Sequence, residues 1–163
     1  MTGLLKNVEI VEATMHDLTA VQPLIMELLD AVEQVESVSM ECAAENFCQI
    51  INDPMHHVMV ARVGTSVAGL VNVAIRRTIV HRKLSGLIDE LVVSKEYSGR
   101  GIGRRLLLEA VNKCREIGCC EVEVSTERRN TRAREFYRNC GFGEDAVLFE
   151  MHFEDEDRGY MRR

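Results

Sequence analysis

Apolar and polar positions follow two periods along the chain, and each change of period marks an element. Val8 to Ala13 alternates as a first strand. Thr14 follows, with Asp17 three residues on in a capping-box pattern. Leu18, Val21, Ile25, Leu28 and Val32 then recur at helical spacing. Pro23 falls in the second turn of that helix, where its missing N–H predicts a local irregularity. Ser39 to Ile51 reads as a second helix, ended by Asn52-Asp53-Pro54. His57 to Val63 and Val67 to Val80 are strand-like and flank Gly64-Thr65-Ser66, a hairpin signal.

Leu87 to Val93 is a strongly β-forming run. Gly101 to Ile117 is the best helix, with Ile102, Leu106, Ala110, Cys114 and Ile117 on one face and Gly118 as its stop. Glu121 to Val124 predicts a short strand, Asn130 to Cys140 a helix closed by Gly141, and Leu148 to Phe153 a last strand. The resulting order, β-α-α-β-β-β-α-β-α-β, implies one α/β (α+β) domain over residues 1–153. Its mixed, mostly antiparallel sheet carries helices on both faces. Residues 154–163 are expected to form a loose tail.

A chain of 163 residues fits one domain and can bury about 70% of its unfolded surface. The net charge of −6 argues against general nucleic-acid binding. The charge is uneven: Lys95 to Arg138 holds 11 Lys plus Arg against 7 Glu, which suggests a bound anion there. The six cysteines form no CxxC pair and no Cys/His metal spacing, so no metal is expected. With no signal-peptide pattern at the start, free thiols and a cytoplasmic setting are the expectation. No stretch approaches ~20 apolar residues, so no membrane span is expected. Of the adjacent pair Cys119-Cys120, one side chain should point into the sheet and the other away.

The informative segment is Leu87-Ile-Asp-Glu-Leu-Val-Val93 followed by Ser94-Lys-Glu-Tyr-Ser98-Gly99-Arg100-Gly101-Ile102-Gly103-Arg104. A strand enters a glycine-rich turn, and the turn opens a long helix. Gly99, Gly101 and Gly103 permit tight bending and clear side chains from the concave side. The exposed amides then converge at the positive end of the helix dipole, an anion site suited to a phosphate or pyrophosphate. Arg100, Arg104 and Arg105 add positive charge. Leu106 replaces the last glycine of a dinucleotide fingerprint, and Arg104-Arg105 stand where a Walker loop needs Lys-Ser/Thr. Both of those readings fail.

These motifs resemble the GNAT superfamily of N-acetyltransferases. The run L-V-V-x(5)-G-R-G-I-G-R-x-L-L is similar to its coenzyme-A motif. Asn130-x-x-Ala133-x-x-Phe136-Tyr137-x-x-x-Gly141-Phe142 is similar to its second motif. The resemblance implies acetyl-CoA as co-substrate, held in a splayed parallel pair of strands. It places the pantetheine arm along Leu91, Val92 and Val93, and the pyrophosphate on the amides from Gly99 to Arg104. Asn130 would lie near the pantetheine arm, and one of Arg128, Arg129, Arg132 and Arg134 near the 3′-phosphate. Ser98 departs from the Gln or Arg usual at its position, which implies a weaker local contact.

Acetyl transfer to an alkyl ammonium, of pKa ~10, first needs a base. Asp89 and Glu90 lie inside a central strand, where charges are seldom buried without reason. Strand alternation would let only one of them face the substrate. The resemblance favours Glu90; the alternative is a structural partnership with Arg76 or Arg77. The resemblance also makes Tyr137 the proton source for the leaving thiolate, against the plainer role of a core tyrosine beside Phe136. The N–H of Val92 or Val93 would polarise the thioester carbonyl. Cys114 and Cys140 sit on apolar helix faces without a neighbouring His and are poor nucleophiles.

The acceptor is less defined. The resemblance assigns its pocket to the stretch from Met15 to Asp53 and the turn from Thr78 to Ser85. These carry Glu33, Glu36, Glu41 and Glu45, and His81, Arg82 and Lys83, with Arg76 and Arg77 just before the turn and His56 and His57 just beyond the stretch. The adjacent histidines read as surface residues rather than metal ligands. The I-D-E-L-V-V and E-V-S-T runs, with Arg134, Phe136 and Tyr137, resemble aminoalkylphosphonate N-acetyltransferases. A small-molecule amine is the leading expectation. Alternatives are a protein lysine or N-terminus, and a non-catalytic acyl-CoA sensor. The resemblance is compatible with a homodimer, since many such domains pair, but the sequence itself is silent on oligomeric state.

Overall fold

The computed structural model describes residues 7–31, 38–143 and 146–151. Its strands are β1 (Val8–Glu12), β2 (His56–Val63), β3 (Ser66–Arg77), β4 (Leu84–Val93) and β5 (Glu121–Val124). Its helices are α1 (Leu18–Ala31), α2 (Met40–Asn52), α3 (Ile102–Ile117) and α4 (Thr131–Asn139). Single 3-10 turns at Met15–Asp17 and Lys95–Tyr97 lead into α1 and the glycine turn.

The strands lie in the order β1-β2-β3-β4-β5. The first four are antiparallel neighbours, and β5 joins β4 in parallel through the crossover helix α3. The hairpin turn between β2 and β3 is Gly64-Thr65, with Gly64 at a φ of +61°. Side-chain alternation gives the sheet two apolar faces. Met59, Ala61, Val71, Val73, Ile75 and Ile88 pack under α3 with Leu106, Leu107, Ala110 and Cys114. On the other face Val58, Val60 and Leu70 pack against Val21 and Leu24 of α1 and Phe47 of α2.

The start of α1 is fixed by polar contacts. The Thr14 amide donates to Asp17 Oδ2 at 2.8 Å, completing the capping box read from the sequence. Asp17 is buried and also pairs with Arg62 of β2, tying the helix start to the sheet. Pro23 lies within α1 on its exposed side.

One expected element differs. The last strand, expected at Leu148 to Phe153, is absent where it is described: Leu148 to Met151 carries no strand, and Phe149 is 91% exposed. β propensity reflects packing against cross-strand neighbours, and Leu148 to Met151 pairs with no strand among the described residues. His152, Phe153 and the tail 154–163 lie outside the described residues, as do Val32, Glu33 and Glu36. Cys119 packs against the α3-side core while Cys120 is exposed, as the adjacent pair predicted.

Candidate active site

The parallel pair β4–β5 stays in register only from Ser85↔Glu121 to Ile88↔Val124. Beyond Ile88, β4 runs on to Val93 with no β5 residue beside it. The departure coincides with a bulge: Val73 pairs with Ile88 and Asn72 with Glu90, so Asp89 is the extra residue. A bulge bends its strand and re-aims nearby side chains. Here it opens the split between β4 and β5.

The ladder decides which amides face that split. Ser94 N–H donates to Ala68 O at 2.9 Å, toward β3. By the two-residue period of an antiparallel ladder, Val92 also turns its N–H toward β3. Leu91 and Val93 therefore turn theirs toward the split. Of the two amides considered for polarising a carbonyl, the geometry selects Val93.

The glycine turn lies just beyond. Gly99 and Gly101 adopt φ of +75° and +78°, a region that L side chains rarely enter. Gly101 is the N-cap of α3 and provides no side-chain cap. The first intrahelical bond is Arg105 N–H to Gly101 O at 3.2 Å, so the amides of Ile102, Gly103 and Arg104 precede the helix's own ladder. They form a positive cradle next to the free edge of β4, which fits an anionic diphosphate. Arg100 and Arg104 are exposed beside it, with the Arg100 guanidinium 5.4 Å from the Tyr97 ring centre. Ser98 is exposed at the entry to the turn. Asn130 is an N-cap: its Oδ1 accepts from Ala133 N–H at 3.0 Å, which starts α4.

Glu90 is half-buried on the α1–α2 face, between Asn72 and the split. Asn72, only 3% exposed, donates from Nδ2 to Glu90 Oε2 at 2.7 Å. Asn72 Oδ1 lies 3.3 Å from His56 Nδ1 on β2. Burial raises the Glu90 carboxyl above its usual range; the Asn72 bond and His56 act the other way, and Asp89 adds to the rise. Burial likewise raises Asp89, against His56 and Arg76. Both carboxyls thus feel the same histidine. The strict alternation expected of Asp89 and Glu90 is broken by the bulge. Arg76 pairs with Glu123 of β5, while the hydrogen-bond partner of Glu90 is Asn72.

Tyr137 packs with the α3-side core, as do Leu91, Val93 and Val124. Its ring meets Phe136 and Phe142 edge-on, with centres 5.3 and 5.9 Å away. Burial raises its phenol above the ordinary value, helped by Cys140. Glu90 and Tyr137 therefore approach the split from opposite faces of the sheet. Burial pushes the Cys114 thiol up to about 12, which removes it as a nucleophile.

The remaining candidates disperse. His56 and His57 belong to opposite faces: His56 meets Asn72, and His57 lies 3.7 Å from Glu12 on β1. They cannot share a metal ion. His81, Cys120 and Glu121 each bring a ligand atom within 4.8 Å of the others, with His81 Nε2 2.9 Å from Glu121 Oε1. Glu41 and Glu45 are exposed on α2. Arg77, Arg82 and Lys83 are exposed around the β3–β4 turn. Sequence reasoning missed Asn72 and its contact with His56. The available signal was an asparagine inside the apolar run Val67 to Ile75, where the residue type is depleted.

Comparison with known proteins agrees with this geometry. Residues 22–142 match the acetyltransferase (GNAT) family. The aminoalkylphosphonate N-acetyltransferase of Salmonella typhimurium is 28% identical over 141 residues, 86% of this chain and 88% of that protein. The crystal structure of a transcriptional regulator from Bacillus halodurans superposes with a TM-score of 0.78 at 25% identity, over 90% of this chain and 99% of the other. An aminoglycoside N-acetyltransferase in complex with CoA has the same fold, with a TM-score of 0.78 at 17% identity, over 89% and 94% of the two chains. Among the described residues no helix is long and apolar enough to cross a membrane. The match runs through every strand of the split sheet except β1, and on that ground the chain belongs to the GNAT family of acetyltransferases, which use acetyl-CoA to acetylate amines.

Proposed function

We propose that the acceptor is the primary amine of a small molecule carrying an anionic group, of the aminoalkylphosphonate or amino-acid type. The observation that carries this reading is the near-full-length similarity to an aminoalkylphosphonate N-acetyltransferase. Exposed Arg77, Arg82 and Lys83 at the β3–β4 turn suit an anionic acceptor.

In this reading Glu90 is the general base, directly or through a water. It takes a proton from the acceptor ammonium, and the neutral nitrogen attacks the acetyl carbonyl. Val93 N–H stabilises the negative charge that develops on that oxygen. As the new C–N bond forms, the C–S bond breaks, Tyr137 gives its phenolic proton to the departing sulfur, and the surplus proton on the acylated nitrogen passes to solvent. Solvent restores the Tyr137 proton and removes the one on Glu90. The amides of Ile102, Gly103 and Arg104 hold the pyrophosphate of acetyl-CoA, which supplies the activated acetyl group when bound. Leu91 and Val93 align its pantetheine arm, and Asn130 and Ala133 form the neighbouring end of α4.

The test is CoA release from acetyl-CoA with aminoalkylphosphonates, amino acids, polyamines and N-terminal peptides as acceptors. Turnover confined to small anionic amines supports the reading. Faster turnover with peptides would replace it by a protein acetyltransferase. Acetyl-CoA binding without turnover on any acceptor would favour a sensor.

A further inference from the structure

The buried Asn72 touches two ionisable groups, and its amide has a polar sense. A carboxylate can only accept hydrogen bonds. An ionised Glu90 therefore requires Asn72 to present its NH₂ group, as the 2.7 Å contact from Nδ2 to Oε2 does. The amide oxygen is then committed to the opposite side, 3.3 Å from His56 Nδ1. An amide oxygen can only accept, so His56 must carry a proton on Nδ1. The charge on Glu90 thus dictates the tautomer of a histidine two strands away, through one asparagine.

The three side chains share one face of the sheet. Asn72 and Glu90 are direct cross-strand partners, whereas His56 pairs with Ala74 and reaches Asn72 diagonally. Such neighbours are the pairs through which strands communicate. Asn72 has no solvent to turn to, being 3% exposed.

We propose that Asn72 and His56 are positioning residues for Glu90: Asn72 presents its NH₂ group to the carboxylate and its oxygen locks neutral His56 as the Nδ1–H tautomer, so that His56 fixes the sense in which Asn72 faces Glu90. The proposal rests on the reading of Glu90 as the general base. Among the described residues, the charged groups that act on Glu90 are Asp89 on β4 and His56 on β2; Arg76 on β3 acts on Asp89. Glu27 of α1 faces the end of β4, where its carboxylate accepts from Lys95 N–H at 3.0 Å. Asp89 opposes ionisation of Glu90, while a cationic His56 favours it. A neutral His56 keeps the Asn72 contact but withdraws the charge. The device therefore has two separable parts, orientation through Asn72 and field through His56.

Imidazole nitrogen shifts and the Glu90 side-chain carboxyl shift, followed by NMR against pH in the acetyl-CoA-free protein, test both parts. Neutral His56 is expected as the Nδ1–H tautomer. In His56→Gln the Glu90 midpoint is expected to rise, because a nearby group that favours the ionised carboxylate is lost. Asn72→Ser is expected to release the tautomer preference; if that variant is poorly folded, wild type and His56→Gln suffice. A wild-type Nε2–H tautomer, or a Glu90 midpoint unmoved by His56→Gln, overturns the proposal. Failure of the base reading is separate: Glu90→Gln would then keep full turnover whatever the tautomer of His56.

Discussion

Gly86 of β4 faces Cys114 of α3 so closely that a Cβ added at Gly86 would lie 2.5 Å from the sulfur. Gly69 of β3 is as crowded, with a Cβ falling 2.8 Å from Val92 O and 2.9 Å from Leu106 Cδ1. These two glycines let α3 settle onto the sheet, and that approach helps bring the helix N-terminus to the end of β4. Gly86→Ala is expected to lower stability by about 1–3 kcal/mol through overpacking. Cys114→Ala should recover part of that loss, so urea unfolding of the double variant should be non-additive. Strict additivity would show that the crowding has another origin.

The glycines of the turn separate backbone need from ligand need. Gly101→Ala forces an L side chain to φ +78°, a cost of about 1–2 kcal/mol. It should lower Tm and acetyl-CoA affinity together. Gly103 differs: a Cβ there would be 3.4 Å from Val93 Cγ2 and 3.8 Å from Phe136 Cζ, close to ordinary contact. Gly103→Ala should keep the wild-type Tm yet bind acetyl-CoA more weakly by calorimetry, because the added methyl meets the cofactor. Unchanged affinity would remove this amide from the pyrophosphate site.

Removing the base should leave binding intact. Glu90→Gln is expected to reduce kcat by about 10²–10⁴-fold, the usual contribution of a positioned proton acceptor, with little change in acetyl-CoA affinity. Burial raises the wild-type Glu90 carboxyl, so the acid limb of kcat/KM should lie above the ordinary glutamate value of about 4.3. A limb at or below that value would contradict the burial seen in the structure.

Asp17 gives a stability prediction with a definite sign. Burial alone would raise its carboxyl, but the Thr14 amide and hydroxyl and the Arg62 guanidinium hold it below the ordinary value. A depressed folded-state pKa stabilises the fold above the unfolded value of about 3.9, and that stability is lost as pH falls through the folded pKa. Asp17→Asn should therefore cost stability at pH 7, on the order of 1 kcal/mol for a lost cap. The gap from wild type should close on acidification below about pH 4. A gap that stays constant with pH would mean that the charge on Asp17 contributes nothing.

The helices and strands were legible because their periodicities were clean: α3 begins and ends at its glycines, and β5 occupies Glu121–Val124 as read. The cradle was legible because Gly99 and Gly101 have local conformational causes. What stayed hidden depends on cross-strand register. The bulge at Asp89 has no glycine or proline to announce it, and it alone breaks the Asp89–Glu90 alternation. Asn72 meets Glu90 only once β3 and β4 are aligned. The choice of Val93 over Val92 likewise needs the ladder's phase, which the bond from Ser94 to Ala68 supplies. The strand expected from Leu148 is missing over Leu148 to Met151 for a related reason, since β propensity forms a strand only with a cross-strand partner and these residues have none.

Tyr137 is the harder role to isolate, because its ring also packs with Phe136 and Phe142. Tyr137→Phe preserves that packing and removes only the hydroxyl. Burial raises the phenol's pKa, so the proton stays in place well above the pH at which Glu90 ionises, and the plateau between the two should be broad. If the hydroxyl protonates the leaving sulfur, Tyr137→Phe should lower kcat by about 10²-fold while acetyl-CoA binding and Tm change little. The deficit should shrink with an acyl donor whose thiol has a lower pKa, since that sulfur departs without needing the proton. A deficit equally large for every leaving group would assign Tyr137 to packing rather than to proton transfer.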